Sequence, residues 1–184
     1  MAFRRLVAGL ALLLACALPV AAQQQVPVPP LTARVTDLAG TLSSGDDQAL
    51  TAKLAELERR TGAQVAILLV PTTGADSVEH YAARVFSDWK PGRRDINDGV
   101  LLLVAKADRT IRIEVGLGLE QAIANETAAA IIRDRMVPAF KAGDFALGLN
   151  DAIDALAPLI ERAGLPAPKK ASWADGPTPL AKAA

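Results

Sequence analysis

Histidine and cysteine are almost missing from this sequence, which has one of each, His80 and Cys16. Serine- and cysteine-nucleophile mechanisms need a base beside the nucleophile, and zinc sites draw on the same two residue types. His80 falls off the Val78/Tyr81/Ala82/Val85/Trp89 stripe and reads as a solvated helix residue, so these mechanisms lack their parts. A lone cysteine also excludes a disulfide framework. Charge of one sign is lacking too: 20 basic side chains balance 20 acidic ones, which excludes the basic face a nucleic-acid partner requires. Beyond the first twenty-two residues no run is long and apolar enough to cross a bilayer. What remains is of ordinary single-domain size, able to bury about two-thirds of its surface, and needs no metal to fold.

The N-terminus carries an address. Arg4 and Arg5 precede a short apolar run from Leu6 to Leu18, followed by Pro19-Val20-Ala21-Ala22. A basic start, a short hydrophobic stretch and small residues at the exit describe a secretory signal peptide over residues 1–22, cut after Ala22. The mature chain is then expected in the periplasm or outside the cell, without a transmembrane helix. Leu13-Leu14-Ala15-Cys16 is similar to a lipid-attachment box, which would anchor the chain at Cys16, but the apolar run continues past it. Residues 23–34, with Pro27, Pro29 and Pro30, read as an extended leader without a core face, and residues 164–184, rich in Pro, Ala and Lys, as a flexible tail holding Trp173.

Between them, at 35–163, apolar periodicity marks one α/β domain. Arg34 to Asp37 is a short strand. Ser43 with Asp46 three residues on forms a capping box, and Leu50, Leu54 and Leu57 continue a helix that ends at Thr61-Gly62. Val65 to Val70 is apolar without a break, as in a strand covered on both faces. A second helix starts near Asp76 and stops at Pro91-Gly92. Val100 to Ala105 and Thr110 to Val115 form a hairpin, the latter an edge strand with Ile111, Ile113 and Val115 facing inward. Asn125 caps a third helix, broken near Pro138, and Asp144 caps a fourth, closed at Gly164. The order β–α–β–α–β–β–α–α predicts a mixed, mostly parallel sheet ending in an antiparallel hairpin, with helices on both faces.

That topology gathers candidate ligands at two ends. Pairing the hairpin brings Asp95, Asn97 and Asp98, ahead of one strand, beside Glu120, after the other. Such hard oxygen donors suit Ca²⁺ or Mg²⁺. The loop is not an EF-hand, since its glycine is one position early and Lys106 stands where the bidentate glutamate belongs. Asp and Asn also serve simply to turn the chain before a strand, and spacing leaves the two readings open. The opposite end of the sheet, where open α/β sheets usually bind ligands, carries Asp37, Thr72, Thr73, Asp76, Lys106 and Asp108. Asp37 and Asp98 are thus expected apart. Gly116-Leu117-Gly118 lacks the third glycine of a dinucleotide fingerprint and the lysine of a P-loop, so its glycines are assigned to positive φ in a corner.

Taken in order, several of these runs resemble the TPM-domain family, named for a thylakoid-lumen protein, a photosystem II repair protein and a modulator of acetylcholine receptors. Val35-Thr36-Asp37-Leu38-Ala39-Gly40-Thr41-Leu42-Ser43 is similar to its opening motif, followed by Thr61-Gly62-Ala63-Gln64-Val65 and Phe86-Ser87-Asp88-Trp89. The most telling runs are Asn97 to Val104 and Arg112 to Glu120, and Pro138 to Phe145 is similar to the late motif. The resemblance covers roughly residues 31–162 and implies a three-layer α/β/α sandwich, usually exported or lumenal. It also implies links to calcium binding, acid phosphatase activity and maintenance of membrane complexes, and it adds Glu114 to Asp37, Asp98 and Glu120 as favoured positions. Asn125 departs from the family's Asp there, and the C-terminal membrane helix of many bacterial relatives is not in this sequence.

Two functions are therefore expected. The first is an exported module that binds Ca²⁺ or Mg²⁺ through Asp95, Asn97, Asp98, Glu114, Glu120 or Asp37 and assists an envelope protein or membrane complex. The second is a metal-assisted phosphomonoesterase, with Arg93, Arg94 or Arg112 holding the phosphate.

Overall fold

A computed structural model describes residues 25–166, so the expected signal peptide, Cys16 and Trp173 lie outside the described residues. Four strands form one sheet in the order β1 (Val35–Asp37), β2 (Gln64–Val70), β3 (Gly99–Ala105), β4 (Thr110–Val115). The first three run parallel, and β4 returns antiparallel to β3 in a register that sets Val100 against Val115. β2 and β3 are buried along their whole length, as their unbroken apolar runs require.

The pleat divides these strands between two cores. Val65, Ile67 and Leu69, with Val100, Leu102, Val104 and Ile113, face α1 (Ser44–Thr61), α3 (Asn125–Ile131) and α5 (Phe145–Arg162). Ala66, Leu68 and Val70, with Leu101, Leu103 and Ala105, face α2 (Val78–Trp89). Each fully buried Leu, Ile or Val contributes about 1.5–3 kcal/mol, so the alternation fixes both register and layering. The expected three-layer α/β sandwich with a mixed sheet is the fold.

Local signals act largely as read. Ser43 Oγ accepts from the Asp46 amide at 3.1 Å while Asp46 reaches back to the Ser43 amide, closing the capping box of α1. Gly62 ends that helix with φ +81°, and Asp144 caps α5 by accepting from the Leu147 amide. Three details differ. The second helix begins at Val78 under a Ser77 cap, and Ala124, not Asn125, precedes α3 and supplies no side-chain cap. Pro138 does not break its helix. A π-turn at Ile132–Met136, in which the Val137 amide donates to Ile132 O, carries the chain into α4 (Val137–Lys141). An extra residue in the turn accommodates a proline that lacks an amide.

The leader is the larger difference, because residues 25–31 do have a core face. Val26, Val28 and Leu31 pack into the α2 core, and Tyr81, Arg84 and Trp89 all donate to carbonyls of this segment. The first residues of the expected tail are also tied down: Leu165 packs against the other core and Pro166 O accepts from Arg93.

Candidate functional site

The end of the sheet where β2 and β3 begin holds the acidic loop. Its backbone meets the glycine corner as expected: the Gly118 amide donates to Asn97 O at 3.0 Å and the Gly116 amide to Gly99 O at 2.8 Å. Neither glycine has a positive φ. A Cβ on Gly116 would run into Asn97 O, and one on Gly118 into Ile96 O, so these positions need glycine for close approach of two backbones. Asn97 itself takes φ +56°, a conformation its residue type tolerates.

Asp98 is wholly buried and already partnered. Its carboxylate accepts from the Arg93 amide at 2.6 Å and Arg93 Nε at 2.7 Å, with Nη2 at 2.6 Å. The same guanidinium donates to Thr61 O and Pro166 O and lies against Gly62, where a Cβ would meet it. Beside this clamp runs a second buried pair. Arg34 contacts Glu58 at 2.8 Å, Gln64 Nε2 donates to Glu58 Oε1, and Gly92 donates to Gln64 Oε1. This end is a charge-neutral lattice holding α1, β2, β3 and the α2–β3 loop in place. Asp95, Asn97 and Glu120 stand exposed around it, and Glu114 pairs with Arg112 at 2.9 Å. Among the described residues there is no group of three or more His, Cys, Asp or Glu side chains placed to hold a metal ion.

The opposite end is more open. Asp37 leaves β1 and organises the following loop, accepting from the amides of Ala39 (2.9 Å), Thr41 (2.6 Å) and Leu42 (2.7 Å). With Gly40, Leu42, Ser43, Ser44, Asp47 and Gln48 it lines a shallow cleft of about 400 Å³ at the start of α1. Asp108 bridges the β3–β4 turn to the β2–α2 loop by accepting from the Thr73 amide at 2.7 Å and the Thr72 hydroxyl at 2.8 Å. Those donors, the Thr73 amide first, hold its carboxyl below the usual range. Asp76 lies between Arg84 and an exposed His80.

Of the six predicted ligands, Asp95, Asn97, Asp98 and Glu120 share one end of the sheet, where Asp98 is closed in by Arg93. Asp98 and Asp37 sit at opposite ends, as the topology required, and Glu114 has its own partner. Sequence reading missed Arg34, Glu58 and Gln64. A signal existed in Glu58, which follows Leu54 by four residues and so falls on the buried stripe of α1.

A family model for the TPM domain matches residues 35–159. The solution structure of the N-terminal domain of a protein from P. gingivalis is 30% identical and has a TM-score of 0.63, covering 72% of this chain and 84% of that one. The BA42 protein from the psychrophilic bacterium Bizionia argentinensis is 23% identical, with a TM-score of 0.60 and coverage of 69% and 86%. The N-terminal domain of cg2496 from Corynebacterium glutamicum shares the fold at 13% identity and a TM-score of 0.56, covering 73% and 86%. No curated protein matches. With its opening strand, central hairpin and late helices all inside the matched span, the chain belongs to the TPM-domain family.

Proposed function

We propose that this chain is an exported accessory module of the cell envelope that binds a divalent cation, Ca²⁺ or Mg²⁺, and assists an envelope protein or membrane complex without catalysing a reaction. Export rests on the basic, apolar and small-residue pattern of residues 1–22. Among the described residues no helix is long and apolar enough to cross a membrane.

The observation that carries the cation reading is a pair of carboxylates lining one open cleft. Asp98 is neutralised by Arg93 inside the protein, whereas Asp37 and Asp47 line one cleft with the hydroxyl-bearing Ser43 and Ser44. Such a set, short of carboxylates and open to water, fits the weak end of the calcium range, about 10⁻⁴–10⁻³ M. The hydrolytic reading loses support because two of its three phosphate-holding arginines are engaged, Arg93 with Asp98 and Arg112 with Glu114.

Thermal melts with and without millimolar CaCl₂ test the proposal. Calcium raises the melting temperature of the unaltered chain, Asp47→Asn abolishes the rise, and Asp98→Asn lowers the baseline but keeps it. A melting temperature indifferent to calcium and magnesium overturns the cation reading. Chelator-sensitive hydrolysis of an aryl phosphate overturns the non-catalytic one.

A further inference from the structure

The leader segment is attached in an unusual way. α2 lies over β3 and β4, and residues 25–31 provide further cover of the same core through Val26, Val28 and Leu31. Every described hydrogen bond to the backbone of this segment ends on a carbonyl. Arg84 Nη2 donates to Val26 O at 2.8 Å, Tyr81 Oη to Pro27 O at 3.0 Å, and Trp89 Nε1 to Pro29 O at 2.7 Å. Among the described residues its amides make no hydrogen bond, and Pro27, Pro29 and Pro30 have none to offer. The prolines fix their own φ and push the residues before them into extended conformations.

This is how folded domains grip proline-rich peptides: aromatic and cationic donors read carbonyls of a stiff extended segment while alternate apolar side chains fill the surface below. We propose that the Tyr81/Arg84/Trp89 face of α2 is a peptide-binding seat for extended, proline-containing segments. Residues 25–31 are its resident and displaceable occupant. The resident shows the chemistry of any occupant in trans: carbonyls facing three fixed donors, prolines between them, and aliphatic side chains at the positions of Val26, Val28 and Leu31. With no backbone ladder to break, the segment lifts off without unfolding the sheet.

The test uses the full chain carrying Val28→Asp and Leu31→Asp, which empties the seat without altering it, plus Trp173→Phe so that Trp89 is the single indole. The probe is an acetylated peptide with the sequence of residues 24–32. The peptide is expected to shift the Trp89 indole N–H resonance saturably in this variant. In the unaltered chain at least about tenfold more peptide is needed, because the tethered segment competes at high effective concentration. The same peptide with the two aspartates produces no shift. A folded variant that ignores the peptide, or that binds both peptides alike, overturns the proposal. Hydrogen exchange of the unaltered chain decides independently of whether the variant folds. Protection of the Trp89 indole proton well below that of the Leu101–Leu103 amides supports a displaceable segment, and equal protection overturns it.

Discussion

Replacing Arg93 by methionine separates the two roles open to Asp98, structural anion and cation ligand. Methionine keeps the stem of the side chain and removes its charge. Asp98 would then be a wholly buried carboxylate with only the residue 93 amide as donor, where the native protein gives it that amide at 2.6 Å and the guanidinium at 2.6–2.7 Å. Breaking a buried pair by removing one partner costs about 3–5 kcal/mol. Arg93 retains some contact with water, which favours the lower part of that range, but the bonds to Thr61 O and Pro166 O are lost as well, each worth about 1 kcal/mol. The expected total is about 5 kcal/mol in urea unfolding, read as a lower midpoint at unchanged slope. Asp98→Asn keeps an acceptor and strands only the partly solvated Arg93 charge, so it costs about 1–2 kcal/mol. The double variant removes both charges, and its loss falls short of the sum of the singles by about 2 kcal/mol. A loss below about 1 kcal/mol for Arg93→Met, or strict additivity, refutes the view that Arg93 is what makes a buried Asp98 tolerable.

Three further outcomes follow from the same geometry. Gly118→Ala drives a Cβ into Ile96 O and is expected to cost at least 2 kcal/mol, about the upper part of the overpacking range, whereas Gly143→Ala, with φ +85° and open space around it, costs only the left-handed penalty of about 1–2 kcal/mol; chemical denaturation of the pair gives the contrast. Tyr81→Phe leaves Pro27 O without its donor and lowers stability by about 1 kcal/mol, and limited proteolysis then cuts residues 25–31 faster while the sheet stays protected. Asp108 is held below its ordinary pKa in the folded state, so its contribution is present above the unfolded value near 4 and is lost as pH falls through the folded one. Asp108→Asn should therefore flatten the acid side of the stability–pH curve, by less than about 1 kcal/mol because the group is exposed.

What could be read in advance was whatever a local pattern determines. Val65 to Val70 and Val100 to Val104 declared themselves as central strands because a strand buried on both faces tolerates no polar residue. Ser43 and Asp46 carry their cap within four residues. The separation of Asp37 from Asp98 followed from the parallel crossover alone. Illegible features were those whose partner is remote or is a backbone atom. Asp98 reads as a turn residue or ligand until Arg93, five residues back, is seen to fold onto it. Residues 25–31 have no helical or strand periodicity because what holds them is three side-chain donors on α2 aimed at carbonyls. The need for glycine at 116 and 118 comes from another loop's carbonyl oxygens, not from the conformation of the corner itself.

The proposed cation seat lies at the Asp37 end of the sheet, and the Asp98 end is an internal structural lattice. Calcium titration followed residue by residue through backbone amide resonances distinguishes the two ends. Saturable shifts concentrated in residues 37–48 are expected at millimolar calcium, with the 93–99 and 116–120 amides still. Shifts centred on Asp95, Asn97, Asp98 and Glu120 contradict this placement, as does a spectrum that calcium leaves unchanged.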